Sequence, residues 1–519
     1  MSQRKDDAVR SHLYSASALR RGLVSLLFGR FLSAGLTLLA MVLVARHLDV
    51  TSFGIYALLL STLGLAITYT SLGLDWVSAR YLPEYRIHAA ASDLRRFLTG
   101  FVAVRTVSLA VFSAAVLAGA AWIVDWLDIP GQQEVFLLYI AVTLLEGLVR
   151  SLRGDVFEPL LMQVSSQGNA ALRAVVFAGL VGWGIASGGL TLAEVVVADL
   201  AASALSLAVA FGQLGWFMVH ALKGHERSPG WTPPPFRQML AVGWHNYLAQ
   251  VINGAASPNA LMLVGTSMAG PAALAGFGFC RTFSDQLRRY LPITLLIPLA
   301  RPKIVASFAV DSDYGRLKDR VQFLYKANLI VLMPAVILAA AFGGPILEAI
   351  SGGKYGDAWM VAVGFTLFLV LQSHRVVLSL LTNILGCPEL TSAGSVASVA
   401  ALPLAVAALW AGGGAEGLVA AMLLGEALSH IVIIAALGRR GYAYGFDGGG
   451  YARLGLAAAG SVALTLLLPA PAGMVEQMAV YALPVALFAV LTLVLWPFTP
   501  FERAMIQRFI GARRLMGRA

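Results

Sequence analysis

The sequence predicts an all-α polytopic membrane protein of about 14 transmembrane helices, and three observations lead to this fold class. Of the 519 residues, 58% are hydrophobic and only 12% are charged, with a mean hydropathy of +0.77. Stretches such as 50–74 and 477–501 are long enough to cross a bilayer and hold no Asp, Glu, Lys or Arg. Basic residues recur between such stretches. A soluble domain carries about a quarter charged residues, so this composition excludes a soluble protein and also a disordered one.

The individual spans follow from a length rule. A bilayer-spanning helix needs about 20 mostly apolar residues, and we accept a run interrupted by a single charge. The predicted spans are 22–45, 52–74, 97–124, 134–157, 169–188, 191–219, 238–265, 272–299, 323–349, 357–382, 389–411, 415–437, 453–470 and 474–497. Residues 8–21 carry apolar and basic side chains on different faces, which predicts a short interfacial helix before the first span.

The basic residues orient these spans. Both ends of the chain and the connections after even-numbered spans are rich in Lys and Arg, whereas the connections after odd-numbered spans hold only Arg46 and Lys354. Cytoplasmic loops carry the basic excess in membrane proteins, so we expect both termini in the cytoplasm. The net charge of +10 has the same origin and indicates no nucleic-acid partner. The two cysteines lie in apolar segments and form no disulfide framework.

A faint internal repeat relates spans 1 and 2 to spans 7 and 8. Phe53-Gly54 opens span 2, and Phe277-Gly278 lies early in span 8. Each pair then meets a basic edge that contains proline, at 80–83 and at 299–302. An even number of spans separates the two copies, so both begin on the same side and the repeat is parallel, as in some transporters.

Three motifs near the N-terminus carry a family resemblance. They read Ala45-Arg46-His47-Leu48, then Phe53-Gly54-Ile55-Tyr56-Ala57, then Ser71-Leu72-Gly73-Leu74-Asp75 continuing to Ala79-Arg80-Tyr81-Leu82-Pro83-Glu84-Tyr85. In these residues the chain resembles the polysaccharide-export (O-antigen-type) flippases of the multidrug/oligosaccharidyl-lipid/polysaccharide (MOP) superfamily. The resemblance is local to this region, and the span number and the repeat support it elsewhere.

The resemblance implies two six-helix bundles around a central cavity, at 22–222 and 238–437, joined by a cytoplasmic linker at 223–237. It implies alternating access that carries a lipid-linked (isoprenoid diphosphate) oligosaccharide to the outer leaflet of a bacterial inner membrane, for surface or exopolysaccharide biosynthesis. The helix pair at 453–497 is similar to the extra pair of the fourteen-helix branch, which includes lipid II flippases. An interfacial segment at 1–21 and a basic cytoplasmic tail at 498–519 complete the organisation.

Arginines inside the spans are the first candidate substrate ligands. A charge at mid-bilayer is costly and usually faces a cavity or a partner, and guanidinium binds phosphate through paired hydrogen bonds. The four candidates are Arg30, Arg281, Arg288 and Arg289. Lipid II flippases are similar in needing arginines on their first and eighth helices, which map to Arg30 and Arg281. Their further arginine on the second helix has no counterpart here. Asp285, four residues after Arg281, is the expected charge partner, and a purely structural Arg281–Asp285 pair is the alternative.

Neutral polar side chains form a second candidate surface. Asn246, Gln250, Asn253 and Ser257 share one face if span 7 is a continuous helix. They suit sugar hydroxyls if that face meets a cavity, and interhelical hydrogen bonds if it does not.

The remaining charged residues divide into coupling and structural candidates. Glu194 and Asp199 on span 6 are possible ion-coupling carboxylates. We expect Glu146 to pair with Arg150 and Glu426 with His430, since each pair is four residues apart. Arg105 and Lys326 lie near cytoplasmic span ends, where we expect them to snorkel to the interface. No residue set predicts a metal site or a cofactor.

Three function classes are compatible with such a chain. A lipid-linked glycan flippase is favoured, with membrane lipids and other polysaccharide-assembly proteins as expected partners. A cation-coupled exporter similar to the MATE branch would favour an acid in span 1, where this chain has Arg30. A membrane-embedded glycan polymerase or ligase would need a large charged external loop, and the predicted external loops are short. We therefore expect a transporter and not an enzyme.

Overall fold

The computed structural model describes residues 16–223, 225–467 and 474–507, which form helices and turns without a strand. The described chain separates into two compact units that divide between Ala275 and Gly276. Helices of the first unit are α1 Ala16–His47, α2 Val50–Tyr69, α3 Leu74–His88, α4 Ala91–Ala118, α5 Ala120–Trp126, α6 Gln133–Ser151, α7 Gln163–Ala186, α8 Leu192–Trp216, α9 Phe236–Ala255 and α10 Pro258–Ala273. Helices α6 and α8 continue into π-helical turns at Leu152–Phe157 and Phe217–Ala221.

Helices of the second unit follow from α11, which begins one residue before the division. They are α11 Ala275–Tyr290, α12 Pro292–Asp311, α13 Tyr314–Ser351, α14 Trp359–Ile384, α15 Glu389–Ser398, α16 Ala401–Trp410, α17 Gly414–Arg439, α18 Gly448–Leu466, α19 Met474–Leu495 and α20 Pro500–Gln507. A short 3-10 turn at Gly356–Ala358 precedes α14.

The all-α membrane fold is confirmed. Among the described residues, 9 helices are long and apolar enough to cross a membrane, or up to 11 if each bent helix pair counts as one span. The number of 14 spans stays a prediction. Most of the predicted interfacial segment at 1–21 and most of the basic tail at 498–519 lie outside the described residues.

Two predicted spans are interrupted. Span 7 was expected to be continuous over 238–265, but α9 ends at Ala255, and Ser257 caps a new helix by accepting a hydrogen bond from the Ala260 amide. Span 8, expected over 272–299, is broken at Leu291, which is extended and precedes Pro292 at the first position of α12. Serine or an extended residue directly before proline is a helix start signal, so both breaks have a local cause.

Within the first unit, α1 packs on α7, α2 on α10, and α6 on α8. Helix α9 packs on α3, so α9 and α10 belong with the first unit. Within the second unit, α13 packs on α14, α17 contacts α14, α15 and α16, and the α18–α19 pair lies against α13. The unit division thus falls after α10 and not in the 223–237 linker, while the assignment of 238–437 to one six-helix bundle stays a prediction.

Candidate functional site

A turn between α2 and α3, formed by Ser71 to Asp75 and here called the motif turn, is the first polar site. Leu72 and Gly73 both have positive φ, at 50° and 73°. A Cβ at Gly73 would collide with the backbone of Gly243 on α9. Glycine is therefore required both by the backbone conformation and by the close approach of α9.

Helix α4 supports the motif turn from one side. Arg105 donates a 3.0 Å hydrogen bond to the carbonyl of Ile67, and Ser108 donates a 2.8 Å bond to the carbonyl of Thr70. The last carbonyls of a helix lack intrahelical donors and carry partial negative charge, so both side chains stabilise the C-terminal end of α2. Arg105 is only 2% exposed, so the expectation that it snorkels is wrong.

Helix α9 supports the same turn from the other side. Tyr247 donates a 2.7 Å hydrogen bond from its hydroxyl to the carbonyl of Tyr69. Ser71 donates from its hydroxyl to Oε1 of Gln250 at 3.2 Å. Gln250, predicted as a sugar ligand, is thus joined to the motif that carries the family resemblance.

Acidic side chains complete this region. Burial raises the pKa of Asp75 against opposing backbone hydrogen bonds and the charge of Arg105. Arg105 also interacts electrostatically with Asp155. Asp155 accepts a 2.6 Å hydrogen bond from Ser151, and its backbone carbonyl accepts one from Ser78. The motif turn therefore lies among a buried cation, two acids and an amide, which link α2, α3, α4, α9 and the end of α6.

A second site is a buried ionic network on α6, α7 and α8. Glu146 is 1% exposed and pairs with Arg150 and Arg173 at 2.7 Å each and with Arg153 at 3.4 Å. Arg173 also pairs with Asp199. The Glu146–Arg150 pair is confirmed. Asp199, predicted as a coupling carboxylate, is held by Arg173, and that role stays a prediction.

Tyr56 extends this network to α2. Its hydroxyl donates a 3.3 Å hydrogen bond to Asp199, and Tyr56 belongs to the second family motif. Sequence reasoning missed Tyr56 and assigned Arg173 to a connection between spans. The available signal was the opposite charge of Arg173 and Asp199 within the adjacent predicted ranges 169–188 and 191–219.

Glu194 has a different environment. It is exposed, and it forms a capping box with Thr191, whose backbone amide donates to the Glu194 carboxylate at 2.8 Å. Capping explains this acid at the first turn of α8, and its role as a coupling carboxylate stays a prediction.

The predicted polar face of span 7 is divided by the helix break. Asn246 donates to the carbonyl of Val242 in its own helix at 2.8 Å, and Asn253 is half-buried. Ser257 belongs to the cap of α10. The helix break separates Ser257 from the other three residues, and the sugar-binding role of these four side chains stays a prediction.

Helix α11 carries the predicted cations of the second unit. Arg281 is 4% exposed, whereas Asp285, Arg288 and Arg289 are exposed. Arg288 donates to Gln372 at 3.3 Å. The side chain of Arg30 lies outside the described residues. The substrate-binding roles of these arginines and the charge-partner role of Asp285 stay predictions.

The Glu426–His430 pair is present on α17, with 3.8 Å between the carboxylate and Nε2. Glu426 also accepts a 2.9 Å hydrogen bond from Arg375, which donates to Ser395 at 3.0 Å. In the described ranges, no group of three or more His, Cys, Asp or Glu side chains is arranged to hold a metal ion.

Comparison with known proteins gives the same fold. The chain is similar to the solved structure titled "Lipid II flippase MurJ, inward closed conformation", with a TM-score of 0.69, 11% identity, and coverage of 93% of this chain and 100% of that one. It is also similar to an inward-facing multidrug resistance MATE family transporter of the MOP superfamily, with a TM-score of 0.58, 13% identity, and coverage of 80% and 99%. No curated protein sequence matches the chain at a significant level.

A family model places this fold in a sequence family. The model described as "Polysaccharide biosynthesis protein" matches residues 19–291. This range contains all three motifs, the motif turn and the buried ionic network. The chain therefore belongs to the polysaccharide biosynthesis protein family.

Proposed function

We propose that the protein is a flippase that moves an isoprenoid-diphosphate-linked oligosaccharide from the cytoplasmic to the outer leaflet by alternating access. One observation carries this proposal. The motif turn, which opens the third motif of the family resemblance, coincides with the buried polar contacts that join Arg105 and Gln250 to the end of α2. In this proposal the motif turn holds the cytoplasmic ends of α2, α4 and α9 together. Arg30 and Arg281 bind the diphosphate.

The proposal is tested in cells that lack the protein, by following a lipid-linked glycan made in the cytoplasm. In these cells we expect the surface polymer to be missing. We also expect lipid-linked single repeat units that a membrane-impermeant glycosidase cannot reach. Restoring the full chain should expose these units to the glycosidase and restore the surface polymer.

Two other outcomes would contradict the proposal. Accessible single units that remain unjoined would indicate a polymerase or ligase. Normal surface glycan together with lost export of a cationic dye would indicate a small-molecule exporter of the MATE type.

A further inference from the structure

Lys326 on α13 is fully buried, with 0% exposure. Its ammonium donates to Asp447 at 2.6 Å, to Glu502 at 2.7 Å and to the carbonyl of Pro497 at 3.0 Å. An ammonium has three donors, so these bonds use all of them, and the ring of Tyr451 lies 5.4 Å from Nζ. The expectation that Lys326 snorkels is wrong, because acceptors inside the protein surround it.

Each of the two carboxylates that bind Lys326 also caps the N-terminus of a helix. Asp447 is the N-cap of α18 and accepts a 3.0 Å hydrogen bond from the amide of Gly450. Glu502 accepts a 2.7 Å bond from the amide of Thr499, and the Thr499 hydroxyl accepts one from the Glu502 amide at 3.3 Å. This reciprocal pair is a capping box. Lys326 therefore fixes the starting points of α18 and α20 against α13.

Two exposed arginines, Arg453 on α18 and Arg503 on α20, donate to the turn before α20, which carries two aromatic rings. Arg453 donates to the carbonyl of Trp496 at 3.4 Å, and Arg503 donates to the carbonyl of Phe498 at 3.1 Å. The guanidinium of Arg503 lies 5.9 Å from the centroid of the Trp496 ring. Each of these bonds uses one of the five N–H donors of a guanidinium, which leaves further donors on both exposed side chains.

The direction of α20 places these groups where a span would end. The axis turns by 111° between Ala479–Leu495 and Pro500–Gln507. If α19 spans the membrane, a helix bent this far from it lies near the membrane plane, where tryptophan is enriched and where cytoplasmic segments carry arginine. Lys326 holds this bend, since Pro497 and Glu502 lie on either side of its start.

We propose that Arg453, Arg503, Trp496 and Phe498, here called the tail-turn site, bind the phosphate headgroup of an anionic phospholipid, and that Lys326 is its positioning residue. Anionic leaflets attract clustered basic side chains, and guanidinium pairs with phosphate oxygens. Four more arginines follow in the sequence, at Arg508, Arg513, Arg514 and Arg518. The lipid is a bound partner in this proposal and not the transported cargo, so the site goes beyond the proposed function.

The test is thermal unfolding of the full-length protein in detergent with added phosphatidylglycerol or phosphatidylcholine. Ligand that binds the folded state raises the unfolding temperature. We expect a rise with phosphatidylglycerol that is at least halved in the double variant Arg453→Gln/Arg503→Gln. The matched control Arg301→Gln/Arg439→Gln removes two exposed arginines from the same unit and should keep the full rise.

Several results would overturn the proposal. An unchanged rise in Arg453→Gln/Arg503→Gln would exclude the site, and equal losses in both double variants would indicate diffuse surface charge. An equal rise with inorganic phosphate would exclude the lipid as the ligand. Glu502→Gln keeps the side-chain size and should reduce the phosphatidylglycerol rise, while a full rise would contradict the positioning role of Lys326. None of these results depends on glycan transport.

Discussion

Arg105 donates a 3.0 Å hydrogen bond to the carbonyl of Ile67, and a buried cation thereby closes the C-terminal end of α2. The guanidinium interacts with the helix dipole, with Asp75 and with Asp155 at once. The C-terminal end of α2 is thus fixed by a residue on α4. The family resemblance lies instead in the motif turn that follows α2.

Replacing Arg105 by Leu should destabilise the protein by about 1–3 kcal/mol, because the Ile67 carbonyl loses its charged donor and two acids lose a nearby positive charge. Thermal unfolding in detergent measures this loss. Arg96→Leu is the matched control, since Arg96 is exposed on the same helix. Equal unfolding temperatures for the two variants would contradict the role of Arg105.

Removing the charge of Glu146 should lower the free energy of unfolding by about 3–5 kcal/mol, because three arginines around it lose their shared buried partner. A double-mutant cycle with Arg173→Met isolates the pair. We expect the double variant to be less destabilised than the sum of the single variants. Strictly additive losses of unfolding free energy would show that the two side chains do not interact.

Charge at Arg30 and Arg281 should determine transport if they bind the diphosphate. Substitution of either by Ala or Glu should abolish surface polysaccharide at normal protein level, and Lys should be tolerated only partly because it loses the two-pronged geometry. Quantified surface glycan is the measurement, with Asp285→Asn as a companion variant. Full export in both Ala variants would refute the diphosphate role. Restored export in Arg281→Ala/Asp285→Ala would favour a structural pair.

Lowering the pH should weaken the contact between Asp447, at the N-terminus of α18, and Lys326. Burial acts to raise the pKa of Asp447, but hydrogen bonds from Lys326 and Gly450 outweigh it, so the pKa lies below its ordinary value. The stabilisation is therefore complete above the unfolded pKa of about 3.9 and is lost as pH falls through the lower folded value. Unfolding temperatures measured from pH 6 to pH 3 should fall less steeply in Asp447→Asn than in the unmodified protein. Parallel curves would contradict this linkage.

The membrane orientation can be tested with single cysteines and an impermeant thiol reagent in intact cells. Because basic residues favour the cytoplasm, positions in 125–133 and 351–356 should be labelled from outside. Positions in 223–237 and both termini should not be labelled. Labelling at Arg227→Cys would reverse the predicted orientation.

The sequence predicts local features of this protein far better than distant contacts. Composition is sufficient for the membrane class, and four-residue spacing is sufficient for Glu146–Arg150, since both residues lie on one helix. The break at Ser257-Pro258 was also readable, because serine before proline is a helix start signal. Hydropathy hides this signal, because it averages over the whole apolar stretch 238–265.

Pairs between separate helices had no such signal. Arg173 and Asp199 are 26 residues apart, and Lys326 and Glu502 are 176 apart. Their meeting depends on how helices pack, which neither periodicity nor spacing encodes. The motif turn was identified only as a pattern, and its contacts with Arg105 and Gln250 required the three-dimensional arrangement.

The three acceptors around Lys326 also have a consequence for biosynthesis. Glu502 is 176 residues further along the chain, and ribosomes add about 5–20 residues per second. The lysine therefore leaves the ribosome roughly ten to thirty-five seconds before its last partner exists. During this interval the ammonium lacks the carboxylate of Glu502, so its set of three acceptors is completed only after residue 502 has been synthesised.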